Sequence, residues 1–164
     1  MGRRLRIRVA RERFKFSCAH MTVFPDGTKE RLHGHNYTLA VALDLVDGRF
    51  ERMVDFARVK AVCAAICDGW RERTLIAGDN PYLVLSPASG DELELSLCGK
   101  RYVFPREDVL VLPIVNTAVE DLASHAADLV VARLGPVLPA GSVTAVEVTV
   151  EETPGQGATC LLKL

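Results

Sequence analysis

The chain has 164 residues, 49% of them hydrophobic, and a formal charge of −1; it reads as one domain, residues 1–164, able to bury a sizeable core. The charge balance points away from nucleic acid and acidic membranes, and no apolar run nears the ~20 residues that a membrane span needs. Met1-Gly2-Arg3-Arg4-Leu5-Arg6 lacks an apolar signal core, and five scattered cysteines make no disulfide framework, so a cytoplasmic location is expected.

Residues 5–20 read as one strand with a fault. Leu5, Ile7 and Val9 alternate with arginines, then the phase flips and Phe14, Phe16, Cys18 and His20 become the inner set. A one-residue phase change is what a bulge produces. The arginines read as a solvated face. Met21 to Leu32 is a loop with the turn signal Pro25-Asp26-Gly27.

A second strand begins at His33-Gly34-His35-Asn36-Tyr37, with Leu39, Val41 and Leu43 in the same phase as both histidines. Strand side chains alternate faces, so His33 and His35 share the inner one. An antiparallel hairpin with the first strand brings His20 beside them. A lone inward histidine is usually a hydrogen-bonded core residue; three in phase within one short window point to a catalytic-type zinc site with an open coordination position.

Asp55 is placed to cap a helix whose inner face is Phe56, Val59, Cys63, Ile66 and Trp70. Residues 77–113 change texture. Pro81, Pro87, Pro105 and Pro113 appear, and Leu93, Leu95 and Leu97 lead through Cys98-Gly99-Lys100 to Tyr102 and Phe104 as a hairpin. This reads as a small β insertion between two helices. Thr117-Ala118-Val119-Glu120 has the form of a capping box for the second helix, with Val119, Leu122, Ala126, Leu129 and Val130 inside and His125 a packing or surface residue.

A final hairpin follows. Val146, Val148 and Val150 set an inner phase that carries Glu152 onto it. A carboxylate ending an apolar face costs free energy unless paired, which marks Glu152 as a binding candidate. The element order is ββ-α-(β insertion)-α-ββ, an α+β domain.

Five segments together resemble the 6-pyruvoyl-tetrahydropterin synthase family, which includes the 6-carboxytetrahydropterin synthases: Phe16 to His20, His33 to Tyr37, Met53 to Phe56, Asn116 to Leu122, and Val148 to Thr153. The resemblance implies a tunnelling fold, with a four-stranded antiparallel sheet carrying two helices on one face. It implies homotrimers closing a barrel, pairs of them forming hexamers, and sites between subunits. It implies Zn2+ on His20, His33 and His35, and a small-molecule pterin held by Glu152 with the backbone around Thr117.

Two family features are missing. The family's catalytic cysteine stands four residues before the first histidine of His-Gly-His, where this chain has Lys29, and Trp70-Arg71-Glu72-Arg73 lacks the Asp-His pair that activates that cysteine. Glu30, three before His33, is similar to the catalytic glutamate of a branch that acts on 7,8-dihydroneopterin triphosphate. The expected function is a zinc-dependent lyase on that substrate or a close pterin, with Glu30 as acid/base and side-chain cleavage or triphosphate elimination as the reaction. The alternatives are 6-carboxytetrahydropterin synthase activity with rearranged proton carriers, Cys18 among them, or a zinc- and pterin-binding paralogue without turnover.

Overall fold

The computed structural model describes residues 4–86 and 90–164; Pro87 and the first three residues, both noted above, lie outside them. In chain order the elements are β1 (Leu5–His20), β2 (His33–Leu45), α1 (Phe56–Trp70), β3 (Arg73–Ala77), β4 (Leu83–Leu85), β5 (Glu92–Leu97), β6 (Lys100–Pro105), β7 (Val109–Leu112), α2 (Val119–Leu134), β8 (Val143–Thr153) and β9 (Gln156–Lys163).

The main sheet has six strands in the order β7-β3-β1-β2-β8-β9, not the four expected. The four expected strands form its antiparallel part. β3 and β7 extend it as a parallel pair, and β3 joins β1 only at Cys18 and Ala19. Both added strands are short apolar runs, too brief for periodicity to reveal. Of the expected 77–113 insertion, β7 thus belongs to the main sheet, and Leu83 to Pro105 form a separate three-stranded sheet, β4-β5-β6, whose β5–β6 hairpin falls where expected.

The fault in β1 is larger than one residue. Its register with β2 runs from Ala10↔Ala40 to Lys15↔Thr38, five steps against two, so β1 carries three extra residues. An odd offset flips the phase as one residue would. Val9 lies inside before it, and Phe14, Phe16, Cys18 and His20 lie inside after it. On the other face Arg6 bonds Asp44 at 2.6 Å and Glu147 at 2.8 Å, cross-strand pairs in solvent that contribute little each.

Both helices pack on the inner face. Val59, Cys63, Ile66, Cys67 and Trp70 of α1, and Leu122, Ala126, Val130 and Leu134 of α2, close over Phe16, Tyr37, Leu39 and Val148. Asp55 caps α1 as expected, accepting from Ala57 N–H at 2.7 Å. Phe56, expected inside, is 45% exposed, because it stands on the first turn; Cys67 is buried instead. His125 stacks on Trp70, with ring centroids 6.0 Å apart. The capping box does not form. Ala118 occupies the cap position without a side-chain bond, and Thr117 Oγ1 donates to the Met21 carbonyl at 3.2 Å. A second core, built on Met21, Val23, Ile76, Leu93, Leu95 and Leu97, joins the insertion to the loop after β1.

Candidate metal centre

The β1–β2 register places His20 opposite His33 and Cys18 opposite His35. Directly opposed residues share a face, so the three imidazoles meet. Their ring centroids lie 4.7 Å (His20–His33), 5.3 Å (His20–His35) and 4.8 Å (His33–His35) apart. Glu152 joins them: one ligand atom from each of the four residues lies within 4.8 Å of all the others.

Glu152 arrives by a bulge. The β8–β9 register passes from Glu151↔Gly157 to Thr153↔Gln156, which leaves Glu152 as the unpaired extra residue. Bulges re-aim side chains in this way. The close approach needs Gly157, since a Cβ there would collide with the Val150 carbonyl and come within 2.8 Å of Glu151 Cα. Gly34 plays a similar part between the two histidines, where a Cβ would lie 2.9 Å from the Cys18 carbonyl oxygen.

The surroundings orient the rings. His20 Nδ1–H donates to the Thr117 carbonyl at 3.0 Å, and His33 Nδ1–H donates to the Arg31 carbonyl at 2.8 Å. A proton held at Nδ1 leaves Nε2 unprotonated, with a lone pair able to bind a metal. The Tyr37 hydroxyl donates to His20 Nε2 at 3.2 Å. Burial raises the Tyr37 phenol, so it stays a proton donor. Burial likewise holds His20 below the ordinary imidazole value and favours the neutral form that binds metal. His35 Nε2 is buried and has no hydrogen bond among the described residues, although Glu152 Oε1 stands 2.6 Å away. That short contact lacks hydrogen-bond direction. Three converging imidazoles, one with a buried ring nitrogen that has no hydrogen bond among the described residues, are a donor set that suits zinc.

The other expected residues divide. Glu30 comes to the cluster, its Oε2 3.8 Å from His33 Nε2, and remains partly exposed. Thr117 comes to it from behind: its carbonyl serves His20, its hydroxyl serves Met21, and its N–H donates to Asn116 Oδ1 at 3.0 Å. Cys18 is buried, and desolvation, with the Glu152 charge adding to it, pushes its thiol up to about 12. It stays a thiol at neutral pH. Tyr37 escaped the sequence reading as one more inner-face position; its place directly after His-Gly-His-Asn was the available signal. A cavity of about 520 Å³ adjoins the centre. Its lining includes His35 but not Glu30 or Glu152.

Comparison with known proteins bears on the family and the fold. A protein of Methanocaldococcus jannaschii, described as a candidate 6-carboxy-5,6,7,8-tetrahydropterin synthase, is 35% identical over 145 residues, 88% of this chain and 87% of that protein. The crystal structure of 6-pyruvoyl tetrahydropterin synthase from Plasmodium vivax superposes with a TM-score of 0.90 at 25% identity, covering 99% of this chain and 100% of that one. Solved structures of the P. vivax protein include two catalytic-residue mutants, in which a glutamate is replaced by alanine or by cysteine. The Plasmodium falciparum counterpart has the same fold, with a TM-score of 0.90 at 21% identity, covering 99% and 100% of the two chains. The family model for 6-pyruvoyl tetrahydropterin synthase matches residues 9–162, and the chain belongs to that family.

Proposed function

We propose that this chain is a zinc-dependent lyase acting on 7,8-dihydroneopterin triphosphate or a close pterin, by side-chain cleavage or triphosphate elimination. His20, His33 and His35 hold the metal. Zinc bound there supplies a Lewis acid that stabilises negative charge on a side-chain oxygen of the substrate. In side-chain cleavage Glu30 takes the proton of the hydroxyl two carbons from the ring, that C–O becomes a carbonyl as the adjacent C–C bond breaks, and Glu30 returns the proton to the carbon left on the pterin. Glu152 accepts hydrogen bonds from the guanidine-like edge of the pterin, a charge-assisted contact, and the main chain at Thr117 supports the site from behind through His20.

The observation that carries this reading is the Glu30 carboxylate, partly exposed and 3.8 Å from His33 Nε2. The competing carrier, Cys18, is buried and protonated. Support comes from the P. vivax relative, whose catalytic residue is a glutamate. The 35% identity to the M. jannaschii protein favours a second reading, 6-carboxytetrahydropterin synthesis with rearranged proton carriers. We place the working form in a homo-oligomer, a trimer or a pair of trimers, with a neighbouring subunit completing the pterin slot. Five free cysteines suit the reducing cytoplasm.

The test is product analysis with dihydroneopterin triphosphate. A 6-hydroxymethyl pterin supports the first reading and a carboxylated pterin the second. Binding without turnover identifies a paralogue that has lost catalysis. Glu30→Gln is expected to lower kcat by ~10²–10⁴-fold with metal retained; full activity in that variant overturns the assignment.

A further inference from the structure

The 77–113 insertion takes no part in the chemistry above, yet it grips the loop that carries Glu30. That loop is a tight ribbon. Val23 and Lys29 bridge across it, Phe24 N–H donates to the Thr28 carbonyl at 2.8 Å, and Glu30 N–H donates to the Thr22 carbonyl at 2.9 Å.

The insertion holds the ribbon at three points. Met21 and Val23 share a buried cluster with Leu93 and Leu95. The Tyr82 hydroxyl donates to the Pro25 carbonyl at 2.9 Å. The Lys29 ammonium lies 5.0 Å from the centroid of the Tyr102 ring, a cation–π distance. The same ammonium donates to the Glu30 carbonyl at 3.0 Å and lies 3.3 Å from Met21 Sδ.

Successive residues of an extended segment point to opposite sides. Lys29 faces the insertion. Glu30, the next residue, therefore faces the histidines, where its carboxylate is found. We infer that Lys29 and Tyr102 are a positioning pair through which the insertion sets the Glu30 carboxylate at the metal centre. The catalytic part of this inference rests on the role proposed for Glu30; the structural part stands on the ribbon alone.

Two measurements test it on the intact protein. Lys29→Met and Tyr102→Leu remove the contact, while Lys29→Arg and Tyr102→Phe keep a cation and a ring. The first two are expected to lower kcat by ~10–100-fold, the size of effect that a misplaced catalytic group produces, with KM and zinc content unchanged. They are also expected to speed amide hydrogen exchange at residues 22–30 by about tenfold. The conservative pair restores both. In a Glu30→Gln background, Lys29→Met adds no further loss of residual turnover. Unchanged exchange in Lys29→Met, unchanged kcat, or an equal further loss in the Glu30→Gln background overturns the inference. Lys29→Met leaves the insertion's own packing intact, so a Tyr102→Leu variant that fails to fold does not obscure the outcome. A wild-type protein that turns over no pterin defeats the catalytic reading alone, and the exchange rates still decide whether the pair orders the ribbon.

Discussion

Replacing Gly157 with alanine perturbs the centre through main-chain geometry alone. The new Cβ would collide with the Val150 carbonyl oxygen and fall 2.8 Å from Glu151 Cα and 2.9 Å from Glu151 Cγ. Two of these three atoms belong to the main chain and cannot rotate away. Comfortable carbon contacts begin near ~3.5 Å, so β9 must retreat by roughly 0.5–1 Å at the bulge. Overpacking of this kind costs about 1–3 kcal/mol. For a chain of this size each kcal/mol lowers Tm by ~2–4 °C, which gives a fall of about 2–12 °C. The displacement lands on Glu151–Thr153, where the register slips and Glu152 is aimed. Pterin affinity, read by fluorescence quenching, should fall by about tenfold, the effect of weakening one charge-assisted hydrogen bond. Zinc content should hold, because β1 and β2 carry the three imidazoles and do not pair with β9. A variant with unchanged Tm and unchanged pterin affinity would refute the claim that this glycine sets the bulge.

Two further outcomes separate the roles around the centre. Glu152→Ala is expected to weaken pterin binding by ~10–100-fold, the loss of hydrogen bonds to a charged group, while zinc content changes little; equal losses in both would make Glu152 a metal ligand rather than a pterin anchor. Burial lowers His20 from its ordinary value, so the unfolded chain binds its proton more readily than the folded one. The metal-free protein should therefore hold this part of its stability above pH ~6.5 and lose it as pH falls from there toward the lowered value of the folded state. Urea midpoints measured across this range should show the slope in the wild type and a shallower one in His20→Gln; parallel curves would deny the burial effect.

How much of this was legible depended on the kind of signal. The inner phase of β1 and β2 could be read because alternation survives any odd offset. For the same reason it could not tell a three-residue offset from a one-residue offset. Glu152 could be placed on the inner face as the next even position after Val146, Val148 and Val150. Its bulge could not, since register is a relation between strands, and a glycine at 157 is its only local trace. β3 and β7 were hidden because five and four residues are too few to show a period. Tyr37 was read as core, which it is, but its hydroxyl finds a use only through His20.

The second helix shows why local rules give way at the centre. Thr117 and Glu120 satisfy the capping-box pattern, and a side-chain cap contributes about 0.5–2 kcal/mol. The chain forgoes it. Thr117 instead turns its hydroxyl to Met21 and its carbonyl to His20. The acidic residues of the first turn, Glu120 and Asp121, meet the helix dipole without the box. The carbonyl bond fixes the proton on His20 Nδ1 and so keeps Nε2 an acceptor, which a capping box cannot do. Three local departures thus converge at one end of a regular frame: an offset in β1 that turns His20 inward, a bulge in β8 that aims Glu152, and an unformed cap at α2 that orients the His20 ring. The helices and the long strands hold these irregular pieces to a common face, and the chemistry proposed here belongs to the irregular pieces.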